Sequence, residues 1–301
     1  MTEVTANDLG PGRARPGLLG LVKLRAGTAH ALPLVLFLLI GFAAPLLWVI
    51  LFSFMPARTF SLLQQPTLEN YVTIFSGSSY TSFLWSLGLA GVTVILLALI
   101  CYPIAYGLAR VFGRWATLLT LLFTIPLFVS ENVRLYGWIL FFIKNGVLLG
   151  TAKSLFGVEG ETWLFTEGMI VLGMVYVYLP FMLFPMTLGV SMVPNETRDA
   201  AFDLGASRWQ VFKEVDLPLA MPGIVIGFLL SFVLAVGAIV EAKVLGGQRV
   251  IPIVHEIELA FTFAQNWPLG AALAVLLMVV VGALVMWVLR RFDLDTILGR
   301  R

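Results

Sequence analysis

Six stretches of this chain run for about twenty residues or more with almost no charge, and that pattern limits the fold more than any other feature of the sequence. They lie at about 31–54, 83–109, 115–134, 168–193, 222–240 and 268–289. Each is close to the roughly 20 apolar residues that a helix needs to cross about 30 Å of hydrocarbon. Within a bilayer no water is available to the backbone, so each N–H and C=O must be paired inside the segment, as an α-helix does. The expectation is an all-α membrane protein with about six transmembrane helices. Composition agrees, because 59% hydrophobic and 12% charged residues in a chain of 301 leave no room for a separate water-soluble domain. The run from Ala31 is too long for the apolar part of a cleaved signal and reads as an uncleaved first span. Cys101 is the sole cysteine, so neither an intramolecular disulfide nor a cysteine metal cluster can form.

The placement of positive charge sets the orientation. With the N-terminus inside, Arg13, Arg15, Lys23, Arg25, Arg110, Arg114, Arg198, Arg208, Lys213, Arg290, Arg291, Arg300 and Arg301 all fall on the cytoplasmic side, thirteen of the nineteen Lys and Arg. The positive-inside rule therefore places both termini in the cytoplasm. Residues 1–30 read as a basic cytoplasmic tail, 31–290 as the membrane domain and 291–301 as a second cytoplasmic tail. Gly223, Gly227 and Ser231, followed by Ala235, recur every four residues and put small side chains on one face of the fifth span, where another helix can approach closely. Pro180 and Pro185 are expected to kink the fourth span.

Between the fourth and fifth spans lies the most informative segment, a cytoplasmic loop over 194–221 that reads as helix, turn, helix. Asn195 is placed to cap the first helix, and Gly205 to end it in the left-handed conformation. Ser207 and Gln210 have the spacing of a capping box opening a second short helix, which is expected to stop before Leu217-Pro218. The segment DAAFDLGASRWQVFKEVDLP resembles the cytoplasmic EAA loop of binding-protein-dependent ABC importer permeases, EAA-x3-G-x9-I-x-L-P. Asp199, Ala200 and Ala201 stand for the EAA triplet, Gly205 for its glycine, and Val215, Leu217 and Pro218 for the I-x-L-P end, with Asp in place of Glu and Val in place of Ile. TLENYVTIF, VRLYGW, GMVYVYLPFMLFP and NWPLGAA extend the resemblance over most of the chain, to permeases of the spermidine/putrescine type. The same group resembles importers of opines, other small amines and organophosphonates.

What the resemblance implies is a type I ABC importer permease fold in a bacterial inner membrane. It implies a related second permease subunit, two cytoplasmic ATPase subunits and an extracytoplasmic substrate-binding protein as partners, with lipid around the spans and no nucleic acid. The loop, including Phe202, Leu204, Ala206 and Ser207, would be the element that docks on the ATPase. Ala200, Ala201 and Gly205 permit close approach, and Phe202, Leu204 and Trp209 offer apolar surface for a partner, or for the membrane surface or the chain's own helices, to cover.

Polar residues mark the outer mouth. Arg134 lies about 30 Å along the third span from Arg114, near the outer interface. Glu131 precedes it on the same helix face and is placed either to pair with it or, with Asn132 and Arg134, to shape a transport path. Glu241 could attract an amine, with Lys243 two residues away as a competing neutraliser. Tyr136 and Trp138 read as interfacial anchors or as faces for an ammonium group, and Tyr176 and Tyr178 as further candidates of that kind.

Other activities find little support. The chain has no Gly-Lys dipeptide and so no Walker loop, and the resemblance accordingly implies a permease without its own ATPase site and with no bound cofactor, ATP and Mg being held by partner subunits. His255-Glu256 begins like H-E-x-x-H, but position 259 is Leu and His30 is remote, so no metal site is expected. His255, Glu256 and Glu258 fall in an outer loop, placed either to touch the binding protein or to form a solvated face. An ATP-independent secondary transporter or channel would show inverted repeats or several coupling charges within its spans, and neither is visible. No spaced catalytic pair at mid-membrane depth supports an enzyme.

Overall fold

The computed structural model describes residues 31–157 and 160–292. The two tails expected at 1–30 and 291–301 lie outside these residues, except for Arg291 and Phe292. The described residues form twelve helices: α1 (Ala31–Ser53), α2 (Glu69–Ser76), α3 (Ser79–Val111), α4 (Trp115–Phe128), α5 (Glu131–Phe142), α6 (Val147–Phe156), α7 (Glu167–Ser191), α8 (Asn195–Asp203), α9 (Arg208–Val236), α10 (Val240–Val244), α11 (Ile253–Thr262) and α12 (Trp267–Arg291). Six segments are long and apolar enough to cross a membrane: α1, α3, α5 with α6, α7, α9 and α12. The chain divides into two units after Leu51. The first holds most of α1, a helix without a single charged residue.

In the second unit α7 is central, with 56% of its most apolar window buried against 11% for α12. It packs between α3 and α9. Leu89, Ala90, Val94, Leu97, Cys101 and Ala105 form a buried stripe on α3 at helical spacing, facing Met174, Val177, Met182, Leu183 and Met186 of α7. Between spans the lipid is as apolar as the protein, so close packing of small residues must do what the hydrophobic effect does in water. The stripe Gly223, Gly227, Ser231 and Ala235 is buried as a whole. A Cβ on Gly223 would stand 2.3 Å from Pro185 O and 2.6 Å from Gly189 Cα, so the backbones of α7 and α9 touch there. The helix α7 continues through Pro180 and Pro185.

Two expectations of continuity are corrected. The run 115–134 is not one helix, because Pro126 tightens the end of α4 into a 3-10 turn and Val129 and Ser130 are extended (ψ 134° and 139°). Glu131 then opens α5, where a carboxylate suits the positive end of the helix dipole. The second helix of the cytoplasmic loop does not stop before Leu217. It runs through a π-helical turn, Phe212–Asp216, straight into the fifth span, because Pro218 falls at the start of the following helical segment, where its missing N–H costs little.

Candidate functional site

On the face carrying the expected coupling loop, α8 ends in a Schellman turn. Ala206 N donates to Ala201 O (3.0 Å) and Gly205 N to Phe202 O (2.9 Å), with Gly205 at φ +83°. The capping box follows, Gln210 N donating to Ser207 Oγ (3.3 Å) and Ser207 N to Gln210 Oε1 (2.8 Å). Asn195 does not cap α8. It is the first helical residue, and its Oδ1 accepts from Arg110 Nη1 (2.7 Å), while Arg110 Nη2 donates to the carbonyls of Val190 (2.9 Å) and Val193 at the end of α7. The turn at the middle of the loop is thus ordered by its own hydrogen bonds, and the start of α8 by Arg110. The loop's apolar residues are turned outward, with Leu204 89%, Trp209 68% and Phe202 41% exposed, and Trp209 stacks on Phe212 (5.0 Å). Asp199, Ala200, Gly205, Ser207 and Pro218 are also exposed, and Ala201, Ala206, Val215 and Leu217 are half-buried. Ser207→Ala removes one half of the capping box and is expected to destabilise the start of α9 by about 1 kcal/mol, read as faster amide exchange at residues 208–211.

A second polar cluster forms where α5, α7 and α10 meet. Glu241 is fully buried, and neither of its carboxylate oxygens has a hydrogen-bond partner of good geometry. It packs on Gly173, where a Cβ would lie 3.5 Å from Glu241 Cγ. Tyr178, itself buried, Arg134 and Glu131 act on it electrostatically. Burial pushes the Glu241 carboxyl up to about 7, Glu131 adding to the effect, and Tyr178 and Arg134 opposing it. The Arg134 guanidinium lies 5.7 Å over the Tyr176 ring, with Nε and Nη1 buried and unpartnered, and Trp138 meets the same ring edge-on at 5.6 Å. The fold therefore gathers Glu131, Arg134, Trp138, Tyr176, Tyr178 and Glu241, while Asn132 and Tyr136 (55% exposed) point away from the bundle core.

The competing ion partner expected for Glu241 is engaged elsewhere, since Lys243 pairs with Glu258. The segment holding His255, Glu256 and Glu258 is not a solvated loop but helix α11. Glu256 Oε1 accepts from Ser82 Oγ (2.7 Å), and His255 is buried. Burial, and then the Lys243 ammonium, holds the His255 imidazole below its ordinary range. The short motifs also acquire local reasons. In TLENYVTIF, Asn70 Nδ2 donates to the carbonyls of Ser53 (3.2 Å) and Met55 (2.7 Å), closing the C-terminal end of the preceding helix. In NWPLGAA, Asn266 Oδ1 accepts from Arg58 N (3.0 Å).

In the second unit membrane-length helices pack on α7, and a helical handle stands between the fourth and fifth spans, as suits the membrane subunit of a transporter. The chain belongs to the binding-protein-dependent transport system inner membrane component family, whose model matches residues 103–297. It is thus a multi-pass protein of the inner membrane with an ABC importer permease fold. It is 34% identical over 222 residues to the spermidine/putrescine transport system permease protein PotB of Haemophilus influenzae, covering 73% of this chain and 77% of that one. It is 30% identical over 257 residues to PotB of Escherichia coli, covering 79% and 92%. Among solved structures it is similar to a bacterial ABC transporter involved in import of the acidic polysaccharide alginate, with a TM-score of 0.72 at 16% identity over 91% of this chain and 98% of that one.

Proposed function

We propose that the chain is the permease subunit of an ATP-driven importer of a polyamine, such as spermidine or putrescine, or of a related small amine. The observation that carries the reading is the 30–34% identity to polyamine permeases over most of both chains. In this reading both termini are cytoplasmic, as the distribution of Lys and Arg favours. A related second permease, two ATPases that hold ATP and Mg, and an extracytoplasmic binding protein complete the machine. The permease has no ATPase site of its own. The exposed residues around Gly205 dock on one ATPase, which covers Phe202, Leu204 and Trp209. ATP-driven closure of the ATPases then moves the spans between inward- and outward-facing arrangements.

Cargo passes the cluster of Glu131, Arg134, Tyr176, Tyr178 and Glu241. A buried carboxylate with free oxygens is suited to an ammonium group, and the Trp138 and Tyr176 rings to its alkyl chain. Reconstitution with the partner subunits tests this. ATP-dependent uptake is expected for spermidine or putrescine, and failure of every polyamine, amino acid and opine in a panel to be taken up rejects the amine class. In that system Gly205→Phe forces a side chain into φ +83° at the contact and is expected to cut uptake at least about tenfold in an intact complex. Unchanged uptake removes the coupling role.

A further inference from the structure

The helix α8 is too weak to stand alone. It has nine residues, no side-chain cap and no buried residue, whereas isolated helices shorter than about 12–15 residues are marginal in water. Among its residues only Arg198 and Ala201 are even half-buried. Arg198 reaches inward to two other elements. Its Nε lies 2.9 Å from Asp216 Oδ1, a close ion pair without hydrogen-bond geometry, with side-chain exposures of 18% and 5%, and its Nη2 donates to the Tyr106 hydroxyl (2.7 Å), the guanidinium also lying 5.8 Å from the Tyr106 ring.

Asp216 closes the π-helical turn at the base of the fifth span, and Tyr106 directly precedes another, Gly107–Val111, at the end of the second. Such turns carry a register irregularity that can shift, and they concentrate at functional positions. One turn before Tyr106, the buried Tyr102 hydroxyl has no partner and lies within electrostatic range of both Asp216 and Arg198. A buried ion pair contributes little net stability, whereas the planar fork of a guanidinium fixes geometry.

We propose that Arg198, clamped between Asp216 and Tyr106, is the positioning residue that makes the cytoplasmic helix α8 move as one body with the inner ends of the second and fifth spans. This rests on the coupling role proposed for the loop around Gly205. In its absence an ATPase would move α8 without moving the bundle. The carboxylate at position 216 is then the receiving point of the motion.

The test uses the full complex in liposomes with its binding protein, and spermidine as cargo. Uptake per ATP hydrolysed is compared for the parent, Arg198→Gln, Arg198→Lys, Asp216→Asn and Tyr106→Phe. A distance between spin labels at the exposed positions 196 and 114 is followed with and without ATP and vanadate. Arg198→Gln is expected to lower uptake per ATP about tenfold and to broaden the distance, Arg198→Lys to retain most of the ratio, and Arg198→Gln with Asp216→Asn to be no worse than the poorer single variant. An unchanged ratio with a narrow distance in Arg198→Gln and Tyr106→Phe overturns the proposal. So does a parallel loss of hydrolysis and uptake that Arg198→Lys does not relieve, which marks a merely structural contact. If Gly205→Phe uncouples while Arg198→Gln does not, the clamp is refuted and the coupling loop stands. If neither does, the coupling reading itself falls.

Discussion

Gly223→Val is expected to leave little folded protein. The added carbons would enter a space where Pro185 O and Gly189 Cα already lie 2.3 Å and 2.6 Å from an ideal Cβ position. Both obstacles are main chain of α7, the most buried helix of the bundle, so no rotamer change relieves them. The two helices must separate along their whole contact. Overpacking in a core ordinarily costs about 1–3 kcal/mol, and a backbone-to-backbone clash belongs at or beyond the top of that range. Gly282→Ala on α12 is the control, because a Cβ there meets nothing within 4 Å and the substitution gains helix propensity of roughly 0.5–1 kcal/mol. Thermal unfolding in detergent should move in opposite directions for the two variants. A Gly223→Val protein with unaltered melting would show that α7 and α9 do not touch as described.

Glu241→Gln should separate stability from transport. In the folded chain the carboxyl keeps its proton up to about pH 7, whereas an ordinary carboxyl gives it up near 4.5. Between these values the folded state binds more protons than the unfolded one, so stability falls as pH rises through the window and levels off above it. The difference amounts to on the order of 3 kcal/mol. Glutamine cannot ionise, and the variant should therefore melt at a higher temperature than the parent at pH 8, equal it near pH 4.5, and lack the decline between them. Uptake should fall at least about tenfold if the carboxylate meets an ammonium group in transit. Equal uptake by the variant would remove Glu241 from the cargo path, and an unchanged pH profile of melting would show that its carboxyl is better solvated than its burial indicates.

The turn at the middle of the cytoplasmic loop was readable residue by residue because its order is local, whereas the cap expected at Asn195 and the stop before Leu217 were not found. Gly205 and the Ser207–Gln210 pair act through bonds that span three to five residues, a reach that spacing alone reveals. The break at Val129–Ser130 was equally local, signalled by Pro126 and by Ser130 before an acidic first turn, but the apolar run across it hid those signals. Arg198 and Asp216 carried no such mark. Eighteen residues separate them, and Tyr106 lies 92 residues from Arg198, so their association depends on how α3, α8 and α9 pack. Lys243 shows the limit from the other side. Proximity in sequence suggested Glu241 as its partner, yet residues two apart on a helix point to opposite sides, and Lys243 finds Glu258.

From sequence alone come the membrane as solvent, the number of long apolar helices, the self-capped loop and its family, since each depends on composition or on contacts within a turn or two. Tertiary structure decided which of those helices is central, that two glycine-bearing backbones touch, and that a carboxylate and a guanidinium lie buried without full partners in one cluster. Burial and pairing of charges depend on which surfaces meet. In a bilayer all apolar surfaces look alike to the solvent, so only the packing of small residues and the few polar side chains selects among the possible meetings.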